Sequence, residues 1–197
     1  MKKNIHPLTK YVFGMLMTFL SMAFVTLPHK SEPATKLTAQ DTLPIPPHSD
    51  KLLFYVQRTT NHNTIMYEMN IEKDGNLNKE EPVHAYWIRY TEKGEKAELS
   101  YMQRKFAYGV QSKLVDEHKQ AYALHFVSYA KKKIQLQRSP RDKRYHAYLQ
   151  LEHKTIELSH IYVRIEGGSF WVPNVPYIDI YGRDVATGHQ VKERIKP

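Results

Sequence analysis

The amino-acid sequence predicts a mostly β protein: an antiparallel curved sheet, barrel or sandwich, of seven or more strands with one short helix. Fourteen tyrosines in a chain that is 41% apolar and 12% aromatic favour strands over a Leu/Ala-rich helical bundle. From Leu52 onward, short β-forming runs alternate with turn residues at the spacing of an antiparallel sandwich or barrel. No strand-like run alternates with a long helix, which disfavours a parallel α/β fold. A chain of 197 residues holds one ordinary domain.

Two segments precede that domain. Residues 1–27 read as a signal peptide or N-terminal anchor, because Lys2, Lys3 and Lys10 lead into an uncharged apolar run from Tyr11 to Leu27. Ser21-Met22-Ala23 offers small residues for cleavage after Ala23. Left uncleaved, the run meets the lower limit of the about 17–25 residues that span a bilayer. Residues 28–50 read as a linker in which Pro28, Pro33, Pro44, Pro46 and Pro47 oppose helix and internal strand. Residues 51–197 are the single β-rich domain. The location that follows is outside the cytoplasm, in the periplasm or cell envelope, with inner-membrane anchoring if the leader is retained.

Within the domain, Leu52 to Arg58 leads through Asn61-His62-Asn63 into Thr64 to Glu72 as a hairpin, Asp74-Gly75 makes a turn, and Val83 to Thr91 is the next strand. Further strands are predicted at Val110 to Asp116, Ala121 to Tyr129, Lys133 to Arg138, Tyr145 to Glu152, Thr155 to Ile165, Tyr177 to Tyr181 and Gln190 to Ile195. Ala97 to Tyr108 breaks the rhythm: Leu99, Met102 and Phe106 share a helical face and Gly109 stops the helix. In Thr155 to Ile165 the apolar phase slips, since Ile156 and Leu158 lie on one face of a regular strand and Ile161, Val163 and Ile165 on the other. A bulge or bend near Ser159-His160 resolves it and favours a strongly curved sheet.

Composition excludes several chemistries. The chain has no cysteine, which rules out disulfides, thiolate metal sites, thiol catalysis and the lipid-modified cysteine of a lipoprotein. Eleven histidines include no short-range metal-ligand pair, there is no G-x-S-x-G elbow, and Ser169 in Gly167-Gly168-Ser169-Phe170 reads as a hairpin loop. No metal or other cofactor is expected. The formal charge of +9 includes Lys2, Lys3 and Lys10 of the leader. Lys131-Lys132-Lys133 and Arg141-Asp142-Lys143-Arg144 are placed at strand connections, as solvated hairpin tips or as contacts to an anionic membrane surface. Nucleic acid is not an expected partner, since no binding motif accompanies the charge.

The remaining constellation is polar and aromatic: Arg58, Asn61, Asn63, Tyr86, Trp87, Arg104 and Tyr108. Arg58 and Arg104 suit an anion clamp, with the asparagines adding hydrogen bonds and the aromatics apolar walls. The preferred reading of the arginines is structural, with Arg58 holding the hairpin and Arg104 pairing with Glu98 or Glu68. The stretches FYVQRTTNHNTIMYE, Tyr86-Trp87-Ile88 and QRKFAYG make the chain resemble, from about Leu52 to Ile195, a family of small exported bacterial proteins, common in the Bacteroidetes and defined as a domain of unknown function. The resemblance implies no catalytic or binding assignment.

Three functions stay open. The first is an envelope-associated domain, leaning away from an enzyme, that binds a small amphipathic or anionic ligand or an envelope component. The second is a hydrolase or isomerase of envelope substrates, and the third a pocketless structural adaptor. A deep cavity favours the first, convergent carboxylate and imidazole groups the second, and a flat apolar patch the third.

Overall fold

The computed structural model of the protein describes residues 43–59, 61–169 and 172–197. The predicted leader, its expected cleavage site and the predicted linker up to residue 42 lie outside the described residues. Residues 43–50, the last part of the proline-rich stretch, run along the domain: Pro46 is buried, the Gln57 side-chain amide donates to the Pro44 carbonyl at 2.7 Å, and Arg144 pairs with Asp50 at 3.3 Å.

Among the described residues eleven strands form one sheet: β1 (Leu52–Arg58), β2 (Asn61–Met69), β3 (Val83–Arg89), β4 (Glu95–Glu98), β5 (Val110–Asp116), β6 (Ala121–Phe126), β7 (Tyr129–Arg138), β8 (Tyr145–Gln150), β9 (Thr155–Arg164), β10 (Tyr177–Asp184) and β11 (Gln190–Ile195). The sheet turns on β9. Its first residues, Thr155–Glu157, pair antiparallel with β8, whereas His160–Val163 pair parallel with β1, and β10 runs antiparallel along the other edge. Two wings, β8-β7-β6-β5 and β1-β2-β3-β4, therefore leave the same edge of β9 one after the other and curl into a half-barrel. The prediction of a mostly β, strongly curved sheet holds. That of a purely antiparallel one does not, because the β1–β9 pairing is parallel.

The bulge lies where the apolar phase slips. Across β10, Tyr181 pairs with His160 but the next residue, Gly182, pairs with Leu158, so Ser159 is the extra residue. That insertion lets Ile156, Leu158 and Ile161, all buried, enter one core although a regular strand would split them. Burying these three side chains is worth about 1.5–3 kcal/mol each, enough to hold the bulge.

Asn61-His62-Asn63 belongs to β2 and not to the turn, and Asn61 pairs with Arg58 of β1. The predicted helix is shorter than expected. Ala97 and Glu98 lie in β4, a polar edge strand without the alternation that would announce it. The helix is α1 (Tyr101–Gln103) continued by a π-helical turn (Arg104–Tyr108). It starts at a capping box, in which the Ser100 hydroxyl accepts from the Gln103 amide and the Gln103 side chain accepts from the Ser100 amide. Leu99 is buried, but Met102 and Phe106 are exposed. The half-buried side is Gln103, Arg104, Ala107 and Tyr108.

Candidate functional site

Alternation along β1 points Phe54, Val56 and finally Arg58 into the half-barrel. Ladder register then places Ile65 of β2 beside Val56 and Trp87 of β3 beside Ile65. Tyr67, two residues along β2, stacks on Phe54 at 4.6 Å. These side chains form the floor onto which the helix closes: the Tyr67 hydroxyl donates to the Tyr108 carbonyl at 2.8 Å, Trp87 Nε1 donates to Gln103 at 3.4 Å, and the Ser128 hydroxyl donates to the Ala107 carbonyl at 2.7 Å.

Arg58 is held between two rings. Its guanidinium carbon lies 5.0 Å from the centroids of both Trp87 and Tyr108, which meet edge to face at 5.1 Å, and Nη1 donates to the Tyr108 hydroxyl. No carboxylate pairs with it among the described residues, and its Nε is buried without a hydrogen-bond partner. Burial pushes the Arg58 guanidinium below its usual pKa, with the Tyr108 and Tyr67 hydroxyls opposing that shift. Burial also raises the hydroxyls of Tyr67 and Tyr108, so both are neutral hydrogen-bonding groups at neutral pH.

Arg58, Tyr67 and Tyr108 border a cavity of about 640 Å³ inside the half-barrel. Its walls are largely apolar, formed by Val56, Ile134, Leu149, Ile161, Ile178 and Ile180 from both wings, β9 and β10. Its mouth carries Tyr129, Lys132 and the loop at Gly167–Ser169. That loop folds back as expected of a hairpin, with Ser169 and Val172 joined through the Ser169 amide at 3.1 Å. A volume of this size lies within the range of small-molecule sites. The described lining contains no Asp, Glu or His.

The sequence-selected residues divide into groups. Arg58, Trp87 and Tyr108 come together. Tyr86 points to the opposite face of β3, buried with Met66 and Ile88 under the Lys96 ammonium, because adjacent strand residues face opposite ways. Asn61 accepts from the Asn63 amide at 3.1 Å, and Asn63 accepts from the Thr91 amide and hydroxyl, tying β2 to the turn after β3. Arg104 contacts Glu81 at 2.9 Å and Glu98 at 3.5 Å and lines a separate pocket of about 230 Å³. The pairing with Glu98 is the one the sequence suggested, and it leaves no two-arginine clamp. Sequence reasoning overlooked Tyr67, and it considered Lys132 only as part of a basic cluster and not as a cavity residue. Tyr67 continues the inward row of β2, and Lys131-Lys132-Lys133 lies within β7 rather than at a connection, with Lys132 on the same face as Ile134 and Leu136.

Residues 54–194 match the family described as a domain of unknown function, DUF4833. The chain belongs to that family. The DUF4833 match begins at Phe54, ends at Arg194, and so includes Arg58, Tyr67, Trp87, Tyr108 and the cavity walls. No curated protein and no solved structure matches the chain.

Away from the cavity, His146 sits between Asp142 at 2.7 Å and Glu157 at 2.9 Å, and Arg141 also pairs with Glu157 at 3.1 Å. This network ties the β7–β8 turn to β9.

Proposed function

We propose that this domain binds a small amphipathic anion of the cell envelope, with its apolar chain inside the half-barrel and its acidic head, a carboxylate or phosphate, at Arg58. One observation carries the reading: a guanidinium without a carboxylate side-chain partner among the described residues stands at the edge of a cavity with largely apolar walls. Desolvating such a charge is costly, and a ligand anion supplies the compensation that the described residues do not. The walls reward a hydrocarbon chain by about 0.8 kcal/mol per buried CH₂ before the entropy of association is counted. Lys132 at the mouth adds a second positive charge.

This reading has more support than the two alternatives. A hydrolase or isomerase working by acid–base chemistry usually takes its proton from an Asp, Glu or His side chain at the reacting atoms, and the described lining has no such side chain. A pocketless adaptor leaves the cavity without a use. Export is part of the proposal and rests on the Lys2 to Leu27 pattern. N-terminal sequencing checks it: a mature protein starting near Phe24 supports cleavage, and full-length protein in the cytosol defeats the envelope reading.

Binding is tested on the full chain by calorimetric titration with dodecanoate and with dodecanol, probes that share a tail and differ in the head. Dodecanoate is expected to bind at least about tenfold more tightly, as a charge-assisted hydrogen bond warrants. Arg58→Gln should abolish the difference without abolishing dodecanol binding. Binding of neither probe, or a carboxylate preference that survives Arg58→Gln, overturns the reading.

A further inference from the structure

The helix from Tyr101 to Tyr108 shows two sides. Gln103, Arg104, Ala107 and Tyr108 turn toward the sheet, while Tyr101, Met102, Lys105 and Phe106 turn outward. The outward side chains Tyr101, Met102 and Phe106 are 69%, 44% and 47% exposed, a cluster of large apolar groups on one short element. Lys105 stands over it, with its ammonium 5.3 Å from the Tyr101 ring and 5.4 Å from the Phe106 ring.

The β6–β7 hairpin lies beside the helix. It is fixed there by the Ser128 hydroxyl on the Ala107 carbonyl and by the Val127 amide on the Gly109 carbonyl at 3.0 Å. The hairpin brings Tyr129, with Lys131 above its ring at 5.8 Å, and Lys132 at the cavity mouth. All charge on these two segments is positive, because the chain has no acidic residue from Leu99 to Val115 or from His118 to Arg141. The neighbouring Glu81 and Glu98 are engaged by Arg104 on the helix's inner side.

We propose that the outer face of this helix and the adjoining β6–β7 hairpin dock on an anionic lipid bilayer. Aromatic and thioether side chains flanked by lysines are the composition that enters the headgroup region of a negatively charged membrane. An eight-residue helix is about 12 Å long, too short to span, so it lies in the interface. Phe106, Tyr129 and Lys132 also border the cavity, so docking brings its mouth to the lipid surface. The surface stands independently of what the cavity holds.

The test uses the full chain, whose lack of cysteine allows one labelled position at a time. Met102→Cys, and as control His118→Cys in the β5–β6 turn at the opposite end of β6, carry an environment-sensitive fluorophore. Vesicles are pure phosphatidylcholine, or the same lipid with about one third phosphatidylglycerol. The expected result is a blue shift and lipid-borne quenching at position 102 with phosphatidylglycerol vesicles only, and neither at position 118. Adding Lys105→Gln or Lys131→Gln should weaken the response about fivefold per lysine. Equal signals at 102 and 118, an equal response with neutral vesicles, or indifference to both lysine changes overturns the proposal. None of these readouts depends on whether the cavity binds dodecanoate, so docking and ligand binding fail separately.

Discussion

The guanidinium of Arg58 packs against the Tyr108 ring and donates to that ring's own hydroxyl, joining the last residue of β1 to the last turn of the helix. Removing the acceptor strands the donor. Tyr108→Phe should cost about 1–3 kcal/mol, the usual penalty for a buried group left unsatisfied, and urea denaturation measures it. Arg58→Met removes the charge while keeping the stack filled. Because burial already pushes this guanidinium below its ordinary pKa, the charge is held at a cost. Arg58→Met should therefore stay within about 1 kcal/mol of wild type while losing the carboxylate preference, the pattern of a residue kept for binding. A loss above about 3 kcal/mol with ligand preference unchanged would support the structural reading of Arg58 instead.

Arg104 should behave differently. Its side chain is 42% exposed, and its partners Glu81 and Glu98 are more exposed still. Pairs of this kind contribute about 0–1 kcal/mol, not the several expected of a buried pair. Arg104→Gln should lower the melting temperature by no more than a few degrees and leave dodecanoate affinity unchanged. An affinity loss comparable to that of the Arg58 variants would restore the two-arginine clamp.

Period-2 patterning made most strands legible, and β5 and β11 fall where the sequence puts them. The slip from Leu158 to Ile161 disclosed the bulge because a buried face cannot change sides in a regular strand. The β1–β9 pairing left no trace, since a parallel contact between residues about 105 apart in the chain has no local turn to mark it. For the helix, Leu99, Met102 and Phe106 have helical spacing, but Leu99 is buried before the helix begins, and the start is set by the Ser100–Gln103 capping box, a signal that the apolar spacing does not carry. Arg58 was legible as a cation at the end of an inward row. Tyr86 was not separable from Trp87 until alternation along β3 was applied to it.

His160 couples the bulge to pH. Its ring stacks between Tyr55 at 4.9 Å and Tyr181 at 4.0 Å, with Ser159 at 3.3 Å from Nδ1 and Lys192 close to Tyr181. Burial, helped by the Lys192 charge, lowers its pKa from 6.5 to about 4. Between these values the unfolded chain binds a proton that the folded chain refuses, so stability must fall as pH drops from 6.5 toward 4. His160→Phe keeps an aromatic ring in the stack and cannot titrate. Urea midpoints measured across that window should decline less steeply for the variant than for wild type. Identical slopes would mean that His160 is protonated in the folded protein.

Gly182 is required by the closeness of β9 and β10 opposite the bulge, not by its backbone angles. A Cβ at this position would lie 2.3 Å from the Glu157 carbonyl oxygen and 3.0 Å from the Ile156 Cδ1. The first contact is with backbone that cannot swing aside, so Gly182→Ala must part the strands. They would part where β9 passes from β8 to β1 along its other edge. Overpacking typically costs about 1–3 kcal/mol, and the upper part of that range is expected because the obstruction is main chain. Both wings hang on β9, so the loss should appear as a lower urea midpoint at unchanged slope, one cooperative transition rather than two. A midpoint within error of wild type would show that β9 and β10 part freely beside the bulge, and that Gly182 is not required by their closeness.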